Sequence, residues 1–495
     1  MAGLNARRLG GRRRLGLLAG PIAFALLLGV DGPLHHLEGL GSRPALAAAV
    51  AALMAIWWLT EAIPIHWTAC VPLVVYPWSR VFAPGFAENL GGAVLPYFDA
   101  YIFLFLGGMC IAAAMQQWNL HRRIALVIMR AIGTDPRRLL FGVLAATAAV
   151  SLWISNTATA AMMVPIGISL IAQLEQSSGG RRLSAYGASV MLAVAYGSNL
   201  GGIGTKIGTA PNAQFASFME QRGVEISFLE YMAVGVPFIA VFLPIAWLVL
   251  WRNGRRDAPD AAAGRSALAA EIARMGRMQA GEWVVLAAFL SAAALWIAGR
   301  PLTHWLEPRV TALAVSSARV EAAVAITAAV ALMLVRVRGR PVLELRSLRL
   351  VHLETLLLLG GSLAMAAAIE ASGLSAWLGG QLTAVRGSPA WLQLLLVSAT
   401  TVALSAVASN VATIAVMLSV VEASVSPELV ATALFTATVA ASCDFALPAG
   451  TPPNAIVFAS GYVSVPRMAR IGVVLDVAAA LLAPVVCALL VSRVL

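Results

Sequence analysis

The stretch Gly201-Gly202-Ile203-Gly204-Thr205-Lys206-Ile207-Gly208-Thr209-Ala210-Pro211-Asn212 decides the reading of this chain. Its glycines and proline cannot sustain a plain helix, yet apolar runs of membrane-spanning character flank it on both sides. Irregular backbone at bilayer depth is tolerated only where it is buried in protein or lines a cavity. Lys206 sharpens the point, because it is the one lysine among 34 basic residues. A charge inside a membrane is costly and by default functional, and an ammonium is a compact point charge where a guanidinium is planar. The alternative is a lysine that snorkels to the interface.

The rest of the chain has the same character. Of its 495 residues 60% are hydrophobic and 12% charged, with a mean hydropathy of +0.85. A soluble globular chain carries about 25% charged residues. Apolar runs recur along the whole length, as helices crossing a hydrocarbon layer about 30 Å thick require. The fold class is therefore an all-α polytopic membrane protein. The net charge of +11 does not point to nucleic acid, since the arginines fall between the apolar runs rather than on one face. Cys70, Cys110, Cys443 and Cys487 form no CxxC pair and no His/Cys ligand spacing, which argues against a disulfide framework or a zinc site. A membrane-embedded enzyme is disfavoured as well: the chain has no HExxH and no cluster of histidine or cysteine.

The predicted spans are 15–31, 44–62, 66–84, 101–130, 187–203, 208–219, 229–251, 282–300, 318–335, 353–382, 428–446, 451–463 and 472–492. Two long apolar segments, 139–173 and 390–424, are interrupted by polar residues and read as re-entrant hairpins. The pieces within 187–219 make one broken helix, and those within 428–463 another. The expectation is about eleven transmembrane helices plus two hairpins. The run from Leu15 to Val30 follows Arg12, Arg13 and Arg14 like a signal peptide, but no clear small-x-small cleavage site follows, so it reads as a retained first helix.

With the N-terminus cytoplasmic and the C-terminus outside, cytoplasmic segments collect the arginines: Arg7 to Arg14, Arg122 to Arg138, Arg181 and Arg182, Arg252 through Arg277, Arg336 through Arg349, Arg467 and Arg470. The outer loops hold Asp31, Glu38, Glu88, Asp99, Glu220, Glu225 and Glu428.

The chain also contains itself twice. Leu106-Gly107-Gly108 returns as Leu359-Gly360-Gly361, and Ser155-Asn156-Thr157-Ala158-Thr159 as Ser409-Asn410-Val411-Ala412-Thr413. Gly208-Thr209-Ala210-Pro211-Asn212-Ala213 returns as Gly450-Thr451-Pro452-Pro453-Asn454-Ala455. The separations are 253, 254 and 242 residues, in the same order, which indicates duplication. The topology places the two hairpins on opposite sides, so the repeats are inverted, the build of many secondary transporters with a midplane site. Organised this way, 1–43 is a basic segment with the first helix, 44–251 the first repeat, 252–281 a cytoplasmic loop and 282–495 the second repeat. Paired broken helices favour alternating access over an anion channel.

In each half a hairpin tip carries Ser-Asn and a broken helix carries Gly-Thr-x-Pro-Asn. Helix N-termini offer unpaired N–H groups and a positive dipole end, suited to a carboxylate. Hydroxyls and the asparagine amide add neutral donors, and carbonyl and amide oxygens suit Na⁺. No arginine is expected at the site.

These motifs, with Trp57-Trp58-Leu59-Thr60-Glu61-Ala62-Ile63-Pro64 and the run from Ser442 through Asp444, Gly450 and Asn454 to Phe458, resemble the divalent anion:sodium symporter family over essentially the whole chain after residue 44. The resemblance implies a homodimer in the cytoplasmic membrane, with a scaffold, a mobile transport domain and elevator-type exchange. It implies no organic cofactor, Na⁺ as coupling ion, and small dianions as substrates: succinate and other C4-dicarboxylates first, then citrate or sulfate. By motif, substrate would meet Asn156, Thr157, Asn410, Val411, Thr451 and Pro452, with Thr209 and Pro211 in the symmetric loop. One sodium site would use Ser151, Ser155, Asn156 and Gly208, and the other Ser405, Asn410 and Gly450.

Three departures stand out. Val411 replaces the family's second threonine, and Lys206 and Asp444 put charges into loops that are usually neutral. The expectation is that the Lys206 ammonium replaces a sodium ion, leaving at most one sodium or Na⁺-independent exchange. Asp444 would bind a proton or pair with Lys206. Glu61, His66, His121 and His352, near span ends, read as structural or interfacial, and Asp476 is unassigned.

Overall fold

A computed structural model describes residues 2–37, 40–307, 316–381 and 383–494; Glu38 lies outside them. The regular secondary structure of the described residues is helical apart from a two-residue antiparallel pairing of Arg336–Val337 with Arg340–Pro341. Eight helices among them are long and apolar enough to cross a membrane. By packing they sort into two bundles. In the frame, Ala2–Gly29 lies on Arg43–Thr60, and Ser317–Leu334 on Ala100–Gln117 and Ala280–Ile297. Leu353–Ala371 packs on Arg43–Thr60 and also on Ala210–Glu220 and Asn410–Ser424, so it is the frame helix that faces the other bundle.

The other bundle holds both hairpins and both broken helices. The first hairpin, Pro136–Ser151 and Asn156–Ser177, clasps the half-helix Ser184–Gly202. The second, Ala390–Ser405 and Asn410–Ser424, packs on Val430–Ala441. Phe228–Gly254 and Val465–Val494 close the bundle. The half-helix Ser184–Gly202 is buried from Ala185 to its end. Glycine makes this clasp possible: a Cβ on Gly201 would lie 2.2 Å from the Ala148 carbonyl oxygen and 2.7 Å from its Cα.

Several predicted spans differ in detail, for identifiable reasons. The segment 66–84 is not one helix but the pieces Ile65–Thr68, Val71–Val75 and the 3₁₀ turn Tyr76–Trp78, with Pro72 and Pro77 each at the start of a new piece. Proline lacks the N–H that would continue the preceding helix. The predicted span 101–130 is Ala100–Gln117 followed by Leu120–Ile132, and 353–382 is Leu353–Ala371 followed by Leu374–Gln381. Both bends occur at a left-handed residue, Asn119 with φ 54° and Gly373 with φ 77°. Glycine and asparagine are the residues that enter that region readily. The segment 252–281, expected as a loop, contains the helix Ala261–Met275 packed on Asn156–Ser177. Its Glu271 is buried and ion-paired with Arg122 and Arg274. Glu61, in the left-handed region, ends Arg43–Thr60 as its C-cap.

Gly201→Ala should lower the detergent melting temperature, since overpacking against backbone costs about 1–3 kcal/mol. Gly380→Ala, where a Cβ meets nothing within 4 Å, should not. Equal melting temperatures for the two variants would contradict this packing.

Candidate functional site

The two hairpin tips are built alike. Ser155 caps Asn156–Ser177 by accepting from the Ala158 N–H, and Ser409 caps Asn410–Ser424 by accepting from the Ala412 N–H. Behind each tip sits a buried serine. Ser151 donates to the Ser198 carbonyl at 2.7 Å and lies 3.1 Å from Asn156 Oδ1. Ser405 donates to the Ala441 carbonyl at 2.7 Å and lies 3.0 Å from Asn410 Oδ1. A hydroxyl has one hydrogen. Spent on the carbonyl, it leaves the serine and asparagine oxygens facing each other with lone pairs, an arrangement that fits a hard cation such as Na⁺.

The breaks in the two broken helices are also alike. In the first, Ser184–Gly202 is followed by a loop and then Ala210–Glu220. Asn212 Nδ2 reaches back across that loop to the carbonyls of Gly202 and Thr205, both at 2.7 Å. In the second, Val430–Ala441 is followed by a loop and then Pro452–Ala459. There Asn454 Nδ2 reaches the carbonyls of Asp444 at 3.1 Å and Leu447 at 3.0 Å. Asn199, on the first broken helix, donates to the same Asp444 carbonyl and to Thr451 Oγ1, both at 3.1 Å, so the two breaks are tied together. Thr205 ties the first break to the hairpin tip, donating to the Leu152 carbonyl at 2.5 Å.

The tips and breaks enclose a cavity of about 350 Å³. Of the residues expected at the site, Ser155, Asn156, Thr157, Thr209, Asn410, Val411, Gly450 and Pro452 line it. Ser151 and Ser405 stand behind the tips, Gly208 backs onto the Gly202 carbonyl, and Pro211 is in the first turn of Ala210–Glu220. Thr451 caps Pro452–Ala459 by accepting from the Asn454 N–H. The frame supplies a wall that motif reading missed: Ile65, Phe105, Met109, His352, Glu354, Thr355 and Leu358. Phe105 and Leu358 directly precede the repeated Leu-Gly-Gly, and the sequence marks His352 as near a span end, but Ile65, Glu354 and Thr355 carry no repeat signal. Glu354, 58% exposed and 3.5 Å from His66, lies at the mouth.

None of the described lining residues is lysine or arginine. The positive potential comes from backbone instead. The first residues of four helices, Asn156–Ser177, Ala210–Glu220, Asn410–Ser424 and Pro452–Ala459, border the one cavity. Each helix start is equivalent to about half a positive charge, so four supply about two, which matches a dianion. A larger crevice of about 780 Å³ lies between Ala280–Ile297 and Ser317–Leu334, but its wall is mostly alanine, valine and leucine and includes none of these helix starts.

Lys206 does not pair with Asp444. Its ammonium is bound to Glu321 on the frame, at 2.8 and 3.1 Å, with both side chains fully buried. Asp444 is fully buried, with no hydrogen-bond partner to either carboxylate oxygen among the described residues. Its Oδ2 lies against Gly450, where a Cβ would come within 1.6 Å. Asp476 accepts from the Phe445 N–H at 2.9 Å and so supports the same loop.

The family model described as "Sodium:sulfate symporter transmembrane region" matches residues 22–492. The chain belongs to the divalent anion:sodium symporter family. Relatives include the sodium-dependent dicarboxylate transporters SdcS of Staphylococcus saprophyticus and Staphylococcus aureus. They are 33% identical over 474 and 473 residues, which is 92% of this chain and 87% of theirs. The crystal structure of the Alcanivorax borkumensis YdaH transporter shares the fold, with a TM-score of 0.54 at 14% identity over 97% of this chain and 98% of that one. The protein is thus a multi-pass membrane transporter of this family and not an enzyme.

Because each bridging amide holds two carbonyls at a break in the helix, Asn212→Ala and Asn454→Ala should each destabilise the protein by about 1–3 kcal/mol. Thermal unfolding in detergent checks this, and a variant that melts like the parent would show that water replaces the amide.

Proposed function

We propose that the protein carries a C4-dicarboxylate dianion, with succinate as the reference substrate, across the cytoplasmic membrane together with sodium. The observation that carries this reading is the meeting of four helix starts on one cavity whose described wall has no lysine or arginine. Such a site favours two negative charges at a spacing set by the two tips. Asn156 and Thr157 on one tip and Asn410 on the other would hold the two carboxylates, with Thr209, Pro211, Thr451 and Pro452 shaping the space between. The relatives' activity, sodium-dependent dicarboxylate transport, agrees with it.

Sodium ions would sit behind the tips. The first site would use Ser151, Ser155, Asn156 and Gly208, and the second Ser405, Asn410 and Gly450. With Lys206 neutralised by Glu321, the reason to exclude sodium from the first site is gone, and symport is the reading favoured over Na⁺-independent exchange. The hairpin bundle would move as a unit past the frame, as an elevator, within a homodimer. The N-terminus would be cytoplasmic and the C-terminus outside. The mouth at His352 and Glu354 then faces the cytoplasm, because it follows directly on the arginine-rich segment Arg336 to Arg349.

Reconstitution into liposomes tests the reading. Labelled succinate should accumulate when an inward sodium gradient is imposed, and Asn156→Ala and Asn410→Ala should each reduce uptake to background while the protein stays folded. Uptake of sulfate or citrate in preference to succinate would reassign the substrate, and full activity in either alanine variant would remove the tips from the site. Val411→Thr restores a hydroxyl at the cavity wall and should tighten succinate binding by about 1 kcal/mol, the net worth of one hydrogen bond. Unchanged affinity would place residue 411 out of reach of the carboxylate.

A further inference from the structure

Lys206 and Glu321 belong to different bundles. Lys206 lies in the break of the first broken helix, three residues before Thr209 on the cavity wall. Glu321 lies on the frame helix Ser317–Leu334, which packs on Ala100–Gln117. The junction is elaborate. Glu321 Oε1 also accepts from the Phe228 N–H at 2.8 Å, and its backbone carbonyl accepts from Trp296 Nε1 at 3.0 Å. Trp153, from the first hairpin tip, stacks with Phe228, which stacks with Trp296. The Lys206 ammonium lies 5.3 Å from the Tyr101 ring centre. Further polar contacts cross between the bundles nearby: Ser217 donates to Asp99 at 2.9 Å, and Arg300 pairs with Glu230 at 2.7 Å.

This junction lies away from the mouth. Glu321 is near the start of a helix of 18 residues whose other end, Leu334, leads into the arginine-rich segment beside His352. A helix of that length rises about 27 Å. The junction is also one-sided. Pro448 occupies the position in the second break that corresponds to Lys206 in the first, since Gly208 corresponds to Gly450. In an inverted-repeat carrier the two end states exchange the roles of the halves. A contact present in one half alone therefore weights one state.

We propose that Lys206 and Glu321 are a positioning pair that latches the substrate-bearing bundle to the frame in the state open at His352 and Glu354, and that they part in each transport cycle. The inference rests on the transport reading above. A buried ion pair offers little net stability over an apolar pair of the same shape, while removing one partner strands the other charge. The pair thus serves as a state-specific contact, and its two members should be separable from substrate affinity.

The test uses the full-length protein in liposomes, with the four native cysteines replaced by serine and Thr355→Cys as a reporter at the mouth. A membrane-impermeant maleimide is applied to one face or the other. K206M and E321Q singly should lose most uptake. The double variant K206M/E321Q should recover it, keep the succinate KM within about two-fold, and lower reporter labelling from the mouth's own face by about five-fold. The swap K206E/E321K should return labelling toward the parent pattern. Unchanged labelling in a double variant that still transports would overturn the latch and leave the transport reading intact. Absence of uptake in the parent would instead sink the transport reading. Should the double variant fail to fold, D99C/S217C across the same junction decides: oxidation should stop uptake and reduction restore it, and uptake that survives a formed disulfide overturns the proposal.

Discussion

Broken backbone inside a bilayer has to be satisfied by the protein itself, and the rest of this structure depends on how that is done. Each unpaired carbonyl or amide at that depth costs several kcal/mol if left alone. Here one asparagine in each half does the work: Asn212 bridges the Gly202 and Thr205 carbonyls, and Asn454 bridges those of Asp444 and Leu447. With their carbonyls held, the breaks can present the starts of Ala210–Glu220 and Pro452–Ala459 to the cavity instead of to lipid. The glycines follow from the same constraint. A side chain at Gly208 would drive into the Gly202 carbonyl, and one at Gly202 into the Asn156 amide.

The consequence is a site whose charge is fixed in the backbone. Dipole ends need no counter-ion and lose no side-chain entropy when an anion arrives, whereas an arginine in the cavity would bring both costs. It would also hold the anion too firmly, and a carrier must release what it binds. On the proposed reading the serine and asparagine oxygens behind the tips complement this: alone they would repel a dianion slightly, and with a cation among them they would attract it. Anion and cation binding would thereby be linked, each strengthening the other by the same factor. Charged side chains are kept elsewhere. Lys206 is neutralised on the frame and Glu354 stands at the open mouth.

Much of this was legible in the sequence, because repetition marks it. The Ser-Asn tips, the Gly-Thr-x-Pro-Asn breaks and their common spacing point to the hairpins and broken helices from sequence alone. Asn119 and Gly373, at matching positions in the two halves, could have announced the bends that split two predicted spans. Pro72 and Pro77 could have announced the fragmentation of another. What the sequence hid is contact between segments far apart. Glu321 lies 115 residues from Lys206, on a helix of ordinary composition, so nothing local identified it as the partner. The frame-side wall escaped for the same reason: His352, Glu354 and Thr355 belong to no motif, and only packing brings them to the tips.

The central claim is that one dianion is held between two equivalent tips with its affinity set by sodium behind them. Calorimetric titration of the purified protein with succinate, in sodium and in choline buffers, tests it most directly. The account predicts one succinate per protomer, bound at least about ten-fold more tightly in sodium, a coupling of about 1.4 kcal/mol. That difference should shrink alike in Ser151→Ala and Ser405→Ala. Succinate affinity indifferent to sodium, or a difference that either serine variant leaves intact, would contradict it.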